Sequence, residues 1–171
     1  MRETLDKIRL LLLDVDGVMT DGRIVYDNNG VESKAFDVKD GHGLKLLQRS
    51  GIRVGIITGR RSQVVEKRAE ELQIDILYQG AKEKIIPYRE ILDQLGLQSD
   101  EIAYVGDDLV DLPILTEVGF AATVADASED VKPFVHYVCR NRGGRGAVRE
   151  ICDLLLKKTG RWESVTSRYF K

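Results

Sequence analysis

Soft metal ligands are scarce in this chain of 171 residues, which has two cysteines, Cys139 and Cys152, and two histidines. The cysteines show neither CxxC nor metal-ligand spacing, so both are expected as reduced residues of the core. An excess of one charge is also lacking. Twenty-six Lys and Arg face 28 Asp and Glu, a formal net charge of −2 that offers nucleic acid or an anionic membrane no bulk attraction. Long hydrophobic runs are missing too. The apolar stretch from Ile8 is broken by Arg9 and ended by Asp14, far short of the about 18 residues a membrane span needs. A cytoplasmic chain without a signal peptide is expected. No internal repeat or low-complexity segment is visible.

What is present reads as one domain over residues 1–171, large enough to bury a real core. Arg9 to Asp14 is too short and apolar for a helix and reads as a buried strand. Val54 to Thr58, Ile76 to Tyr78, Ile102 to Val105, Phe120 to Val124 and Tyr137 to Cys139 follow in the same manner. Strands apolar on both faces belong to a parallel sheet covered on both sides. Helical stripes lie between them: Val65, Ala69 and Leu72, then Ile85, Tyr88, Leu92 and Leu95. Ala147 to Lys158 reads as a last helix closed by Gly160. The alternation predicts an α/β fold with a doubly wound parallel sheet.

Between the first strand and a helix expected near Gly43, two short β-runs, Arg23 to Tyr26 and Val31 to Val38, flank Asn28-Asn29-Gly30, the turn of a hairpin, a flap over residues 18–38. Tyr26 and Phe36 on it read as packing between subunits. A C-terminal loop and helix occupy residues 141–160, and the tail 161–171 is expected to be loosely ordered.

Ligands of such sheets bind beyond the carboxyl ends of the strands. Those ends carry Asp14 and Asp16, Thr58, and Asp107 with Asp108. Carboxylates so close repel one another and call for a cation. An all-oxygen set selects magnesium over zinc. Pro87 belongs in the first turn of its helix, which puts Lys84 at that helix's N-terminus near the same edge; Pro113 makes the same argument for a helix opening after Asp107. A cation, a hydroxyl, helix N-termini and a divalent ion together suit a phosphoryl group.

Asp14-Val-Asp16-Gly-Val18, Thr58-Gly-Arg60, Lys84 and Gly106-Asp-Asp-Leu-Val-Asp111 resemble, in order, the four motifs of the haloacid dehalogenase superfamily. The resemblance implies an Asp14 nucleophile and an Asp16 general acid and base. It implies Mg2+ on Asp14, the Asp16 carbonyl and Asp107, with Thr58 and Lys84 on the phosphoryl oxygens. Asp108 and Asp111 would orient metal waters and Lys84. The hairpin takes the place of the cap domain of larger members.

Val18 to Gly22, Lys39 to Leu44, Thr58 to Arg60 and Gly143 to Glu150 are further similar to the family of 3-deoxy-D-manno-octulosonate 8-phosphate (KDO 8-phosphate) phosphatases, which supply a lipopolysaccharide precursor. That likeness implies a small sugar-acid phosphate as substrate. It also implies a homotetramer in which hairpins roof neighbouring sites, and a loop at Gly143, Gly144 and Arg145 that reaches an active site. Arg60 and Arg68 suit a substrate carboxylate, and Gly59, Asp40, Gly41, His42 and Gly43 are candidate substrate contacts. A nine-carbon keto-acid phosphate or a broader ester is the alternative substrate. A phospho-Asp signalling module or a non-catalytic partner of a cytidylyltransferase is the alternative class. Receiver modules place the phosphorylated Asp on a later strand and lack the acid/base of Asp16.

Overall fold

Four leucines, Leu10–Leu13, form the central strand of a six-stranded sheet, and all are fully buried. Burying one such side chain contributes about 2 kcal/mol, enough for this tetrad to dictate a strand covered on both faces. The structure, a computed structural model, describes residues 2–171; Met1, the first residue of the expected domain, lies outside the described residues. In chain order the elements are α1 (Arg2–Asp6), β1 (Leu10–Leu13), β2 (Val25–Tyr26), β3 (Glu32–Ser33), α2 (Val38–Arg49), β4 (Arg53–Ile57), α3 (Gln63–Leu72), β5 (Ile76–Tyr78), α4 (Ile85–Leu95), β6 (Ile102–Val105), α5 (Leu112–Leu115), β7 (Phe120–Thr123), β8 (Tyr137–Val138), α6 (Ala147–Lys158) and α7 (Trp162–Thr166).

The sheet runs β5-β4-β1-β6-β7-β8, every pairing parallel. Leu13 sits level with Ile56 of β4 and Val105 of β6, so the residues that follow all three strands emerge along one edge. Successive side chains alternate between faces. Leu11 and Leu13 join α2, α3 and α6 in one core layer, while Leu10 and Leu12 join α4 and α5 in the other. This is the doubly wound α/β sandwich expected from the sequence. Pro87 falls in the first turn of α4 and Pro113 in that of α5, as expected.

Three expectations need correction. Helix α2 begins at Val38 rather than near Gly43, capped by the Asp37 carboxylate, which accepts the backbone N–H groups of Lys39 and Asp40. Gly41 and Gly43 lie inside that helix despite their poor propensity because its neighbours approach closely. A Cβ on Gly43 would stand 3.2 Å from the Cα of Arg149 on α6. The second hairpin run consequently shortens to Glu32–Ser33. The tail is also ordered: α7 buries Val165 and Thr166, and the Tyr169 hydroxyl accepts from Arg49 (2.8 Å) and meets His42 Nε2 at 3.0 Å on α2. The burial of Val165 and Thr166 and the contacts of Tyr169 with α2 offset the entropy of ordering that the tail's polar composition suggested.

Candidate active site

At the end of β1 the Asp14 backbone N–H donates to Val105 O at 3.0 Å, which ties the residue to β6 and aims its carboxylate into the crevice. Lys84, the residue before α4, reaches it from the opposite wall: Nζ stands 2.9 Å from Asp14 Oδ1 and 2.7 Å from Asp111 Oδ1, and the lysine side chain is 3% exposed. Burial alone would lower the Lys84 pKa; the two carboxylates outweigh that and raise it, so the ammonium is held charged.

Asp111 is fully buried, and its hydrogen-bonding capacity is largely spent. Besides Lys84, Oδ1 accepts the Tyr104 hydroxyl at 2.5 Å, and Oδ2 accepts the backbone N–H groups of Asp107 (3.0 Å) and Asp108 (3.3 Å). It orients its neighbours. Asp107 lies against Gly17, whose φ of +93° only glycine adopts readily and where a Cβ would stand 2.0 Å from Asp107 Oδ2. Asp108 folds back to accept its neighbour Leu109 N–H at 2.7 Å.

Carboxylate oxygens of Asp14, Asp107 and Asp111 lie within 4.8 Å of one another. Burial, together with repulsion from Asp111, pushes the Asp14 carboxyl up to about 6, against the pull of Lys84. Burial and then repulsion by Asp14 and Asp111 push Asp107 up to about 7. Hard oxygen donors with more negative charge than one ammonium can balance fit Mg2+. Because Asp111 is already saturated, Asp14 and Asp107 are the pair with oxygens to give.

The sign of the linkage follows. Without metal the folded chain holds protons on Asp14 and Asp107 that the unfolded chain has released above about pH 4, so metal-free stability falls as pH rises toward 7. Mg2+ requires the deprotonated forms. The Mg2+-induced gain in Tm is therefore expected to be larger at about pH 8 than at about pH 5, by at least a few degrees. Melting curves with Mg2+ and with EDTA check this, and equal gains at the two pH values would refute the ligand assignment.

Thr58 and Gly59 follow β4 and, with Asp14, Asp16, Arg60, Lys84, Asp107 and Asp108, line one cleft of 380 Å³. Asp16 does not join the three clustered carboxylates. Its Oδ1 meets Lys34 Nζ of the hairpin at 2.5 Å, and its Oδ2 lies 3.9 Å from Arg60 Nε. Arg60 also donates to the Tyr26 hydroxyl (2.9 Å) and Glu32 Oε1 (3.3 Å), so the hairpin leans on the cleft of its own chain.

Several candidates lie elsewhere. Arg68 stacks over Phe36 (5.5 Å) and pairs with Glu71, away from the cleft, and Phe36 packs into its own core instead of standing free for a second subunit. Asp40, Gly41, His42 and Gly43 belong to α2 and line no part of the cleft. Asp40 is buried, with Oδ1 accepting the Arg149 N–H at 2.8 Å. Gly143 and Gly144 are not a free loop either: Gly144 N–H donates to Val18 O, and Gly143 presses so closely on Gly17 that any side chain would collide with its carbonyl. Glu150 pins the approach to that loop, accepting the Tyr137 hydroxyl and the Arg140 and Asn141 N–H groups. Arg145 is the exposed member.

The sequence reading missed Glu32, Lys34 and Tyr104. For the hairpin pair a signal existed: Glu32, Lys34 and Phe36 alternate at period two, and all three turn inward while Val31, Ser33 and Ala35 are exposed.

Carboxylates at the ends of β1 and β6, facing a lysine from a helix N-terminus, define a phosphohydrolase of the haloacid dehalogenase type. The haloacid dehalogenase-like hydrolase family model matches residues 37–119. The chain is 51% identical to 3-deoxy-D-manno-octulosonate 8-phosphate phosphatase KdsC of Yersinia pestis, over 93% of this chain and 85% of that protein. It is 50% identical to KdsC of Escherichia coli K12 over 91% and 83%. Among solved structures, the Moraxella catarrhalis 3-deoxy-D-manno-octulosonate 8-phosphate phosphatase, in complex with magnesium ion, phosphate ion and KDO, superposes with a TM-score of 0.96 at 39% identity, covering 98% of this chain and 97% of that one. The chain belongs to the KDO 8-phosphate phosphatase family of haloacid dehalogenase-like hydrolases.

Proposed function

We propose that the protein hydrolyses KDO 8-phosphate to the free sugar acid and phosphate, as its relatives' names state for them, with Mg2+ as cofactor. The observation that carries the chemistry is the buried cluster in which Asp14, bridged to Asp111 by Lys84, offers an oxygen within 4.8 Å of Asp107.

In the proposed reaction Asp14 attacks phosphorus in line, forming an aspartyl phosphate as the sugar oxygen departs. Asp16 gives that oxygen its proton and then takes one from the attacking water. Lys84 and Thr58 hold the equatorial phosphoryl oxygens, where charge has to be neutralised. Asp14, the Asp16 backbone carbonyl and Asp107 would hold Mg2+, which supplies further neutralisation of the phosphoryl charge. Asp111 fixes Lys84 and the Asp107 backbone, and Asp108 lines the wall beside them. Arg60, 45% exposed and in contact with Tyr26 and Glu32, would take the substrate carboxylate.

The whole chain forms one hydrolase domain in this reading, with the hairpin as its flap and no cap. Ile24, Val25, Tyr26 and Val31 are exposed on that hairpin, an apolar face suited to a homotetramer, for which sedimentation should return about four chain masses. A cytoplasmic location accords with the absence, among the described residues, of any helix long and apolar enough to cross a membrane.

Phosphate release from KDO 8-phosphate, a nine-carbon keto-acid phosphate and hexose phosphates distinguishes the substrates. We expect kcat/KM for the eight-carbon acid to exceed that for hexose phosphates by at least about tenfold, as a paired carboxylate contact allows. A lead for hexose phosphates would end the substrate assignment while leaving the chemistry intact.

A further inference from the structure

The hairpin carries a charge where a flap needs none. Lys34 projects from the hairpin's second run, yet its side chain is only 1% exposed, and Nζ is engaged by Asp16 Oδ1 at 2.5 Å and Glu32 Oε1 at 3.4 Å. It does not line the cleft; Asp16 does. Burying an ammonium is costly unless its partners are worth the desolvation, and here the partners are the acid/base carboxylate and a hairpin neighbour. Lys34, Arg60, Asp16 and Glu32 form a closed group of two cations and two anions. Within it each Asp16 oxygen faces a different cation, Oδ1 the near ammonium and Oδ2 the more distant Arg60.

We propose that Lys34 is a positioning residue for proton transfer: by occupying Asp16 Oδ1 it fixes the carboxyl rotation and leaves Oδ2 to carry the proton. This rests on the reading of Asp16 as acid and base. In the first step the Asp14 oxygen–phosphorus bond forms, the bond from phosphorus to the sugar oxygen breaks, and the Oδ2 proton passes to that oxygen. In the second step water attacks phosphorus, the aspartyl–phosphorus bond breaks, and the water proton returns to Oδ2. Lys34 exchanges no proton in either. The hairpin thereby sets the geometry of catalysis from its own chain.

A side chain that acts through the acid should matter in proportion to how much the leaving group needs a proton. The sugar alkoxide needs one; 4-nitrophenolate does not. kcat/KM reports events up to the first irreversible step, the departure of that group. Lys34→Met is therefore expected to lose about 10²-fold in kcat/KM on KDO 8-phosphate and less than about tenfold on 4-nitrophenyl phosphate, given the usual worth of a placed acid. Lys34→Arg should recover part of the first loss. Phosphoenzyme from the aryl ester should accumulate in Lys34→Met on acid quench, because water activation still needs Asp16 in place.

Equal losses on both esters, or no loss on either, would overturn the proposal. Melting temperature and Mg2+ binding close to wild type show that the variant is folded, and Lys34→Arg supplies the comparison if Lys34→Met is not. Asp16→Asn tested on the same two esters separates the premises. Leaving-group dependence in Asp16→Asn but not in Lys34→Met removes Lys34 alone, and its absence in both removes the acid/base role of Asp16.

Discussion

Asp14→Asn is expected to lower kcat on KDO 8-phosphate by at least about 10⁴-fold, the scale on which losing a covalent nucleophile is felt. Asparagine keeps the shape and can still hydrogen-bond to Lys84, but its amide cannot displace an alkoxide from phosphorus. The stability effect should have the opposite sign. Asp14 is buried beside Asp107 and Asp111, and its carboxyl is pushed up to about 6, so in the metal-free protein at neutral pH its charge works against folding. Removing that charge should leave the metal-free Tm unchanged or raise it, the usual opposition of stability and activity at a charged site. Phosphate-release assays and melting curves check both halves, and acid quenching should trap no phosphoenzyme. Turnover within a hundredfold of wild type would remove Asp14 as the nucleophile.

Lys84→Met carries the second large effect, and here activity and stability fall together. The ammonium is the cation set between Asp14 and Asp111, at 2.9 and 2.7 Å, almost wholly buried. Removing one partner of a buried ionic group strands the others, at a cost of about 3 kcal/mol. Asp111 retains Tyr104 and two backbone donors, so Asp14 bears most of that cost. Mg2+ should restore part of the stability because it replaces positive charge near Asp14. It should not restore the rate. The phosphoryl group loses a preorganised donor, worth about 10²- to 10³-fold. A variant that keeps kcat/KM within tenfold of wild type would show that Lys84 serves only the fold.

The opposite responses of these two variants come from one feature: carboxylates crowded beyond the sheet edge, short of positive charge until a divalent cation arrives. Much of it was legible in the chain. Leu10–Leu13 and Ile102–Val105 are uninterrupted apolar tetrads, the pattern of strands covered on both faces, with Asp14 directly after the first and Asp107 one glycine beyond the second. Pro87 placed Lys84, and Pro113 placed Asp107 and Asp108, beside helix starts, because a helix tolerates proline only in its first turn.

Other features were not legible, for identifiable reasons. Local propensity places glycine outside a helix, yet Gly41 and Gly43 are helical because α6 and Arg68 press on the bare backbone. Nothing local says that Arg68 will stack on Phe36 rather than enter the cleft, or that the tail will lie on α2. The contact between Lys34 and Asp16 spans 18 residues of chain and exists only because the hairpin folds back.

By itself, then, the sequence determined the parallel α/β sheet, the strand ends that carry Asp14, Thr58 and Asp107, and the hard-cation chemistry of an all-oxygen site. These follow from short-range rules of burial, backbone geometry and ligand type that each segment obeys on its own. Tertiary structure alone decided that Asp111 is saturated, that Asp16 turns toward the hairpin, and that α2 begins at Val38. Such outcomes depend on packing and electrostatics between groups distant along the chain, whose separations are set only when the whole core closes.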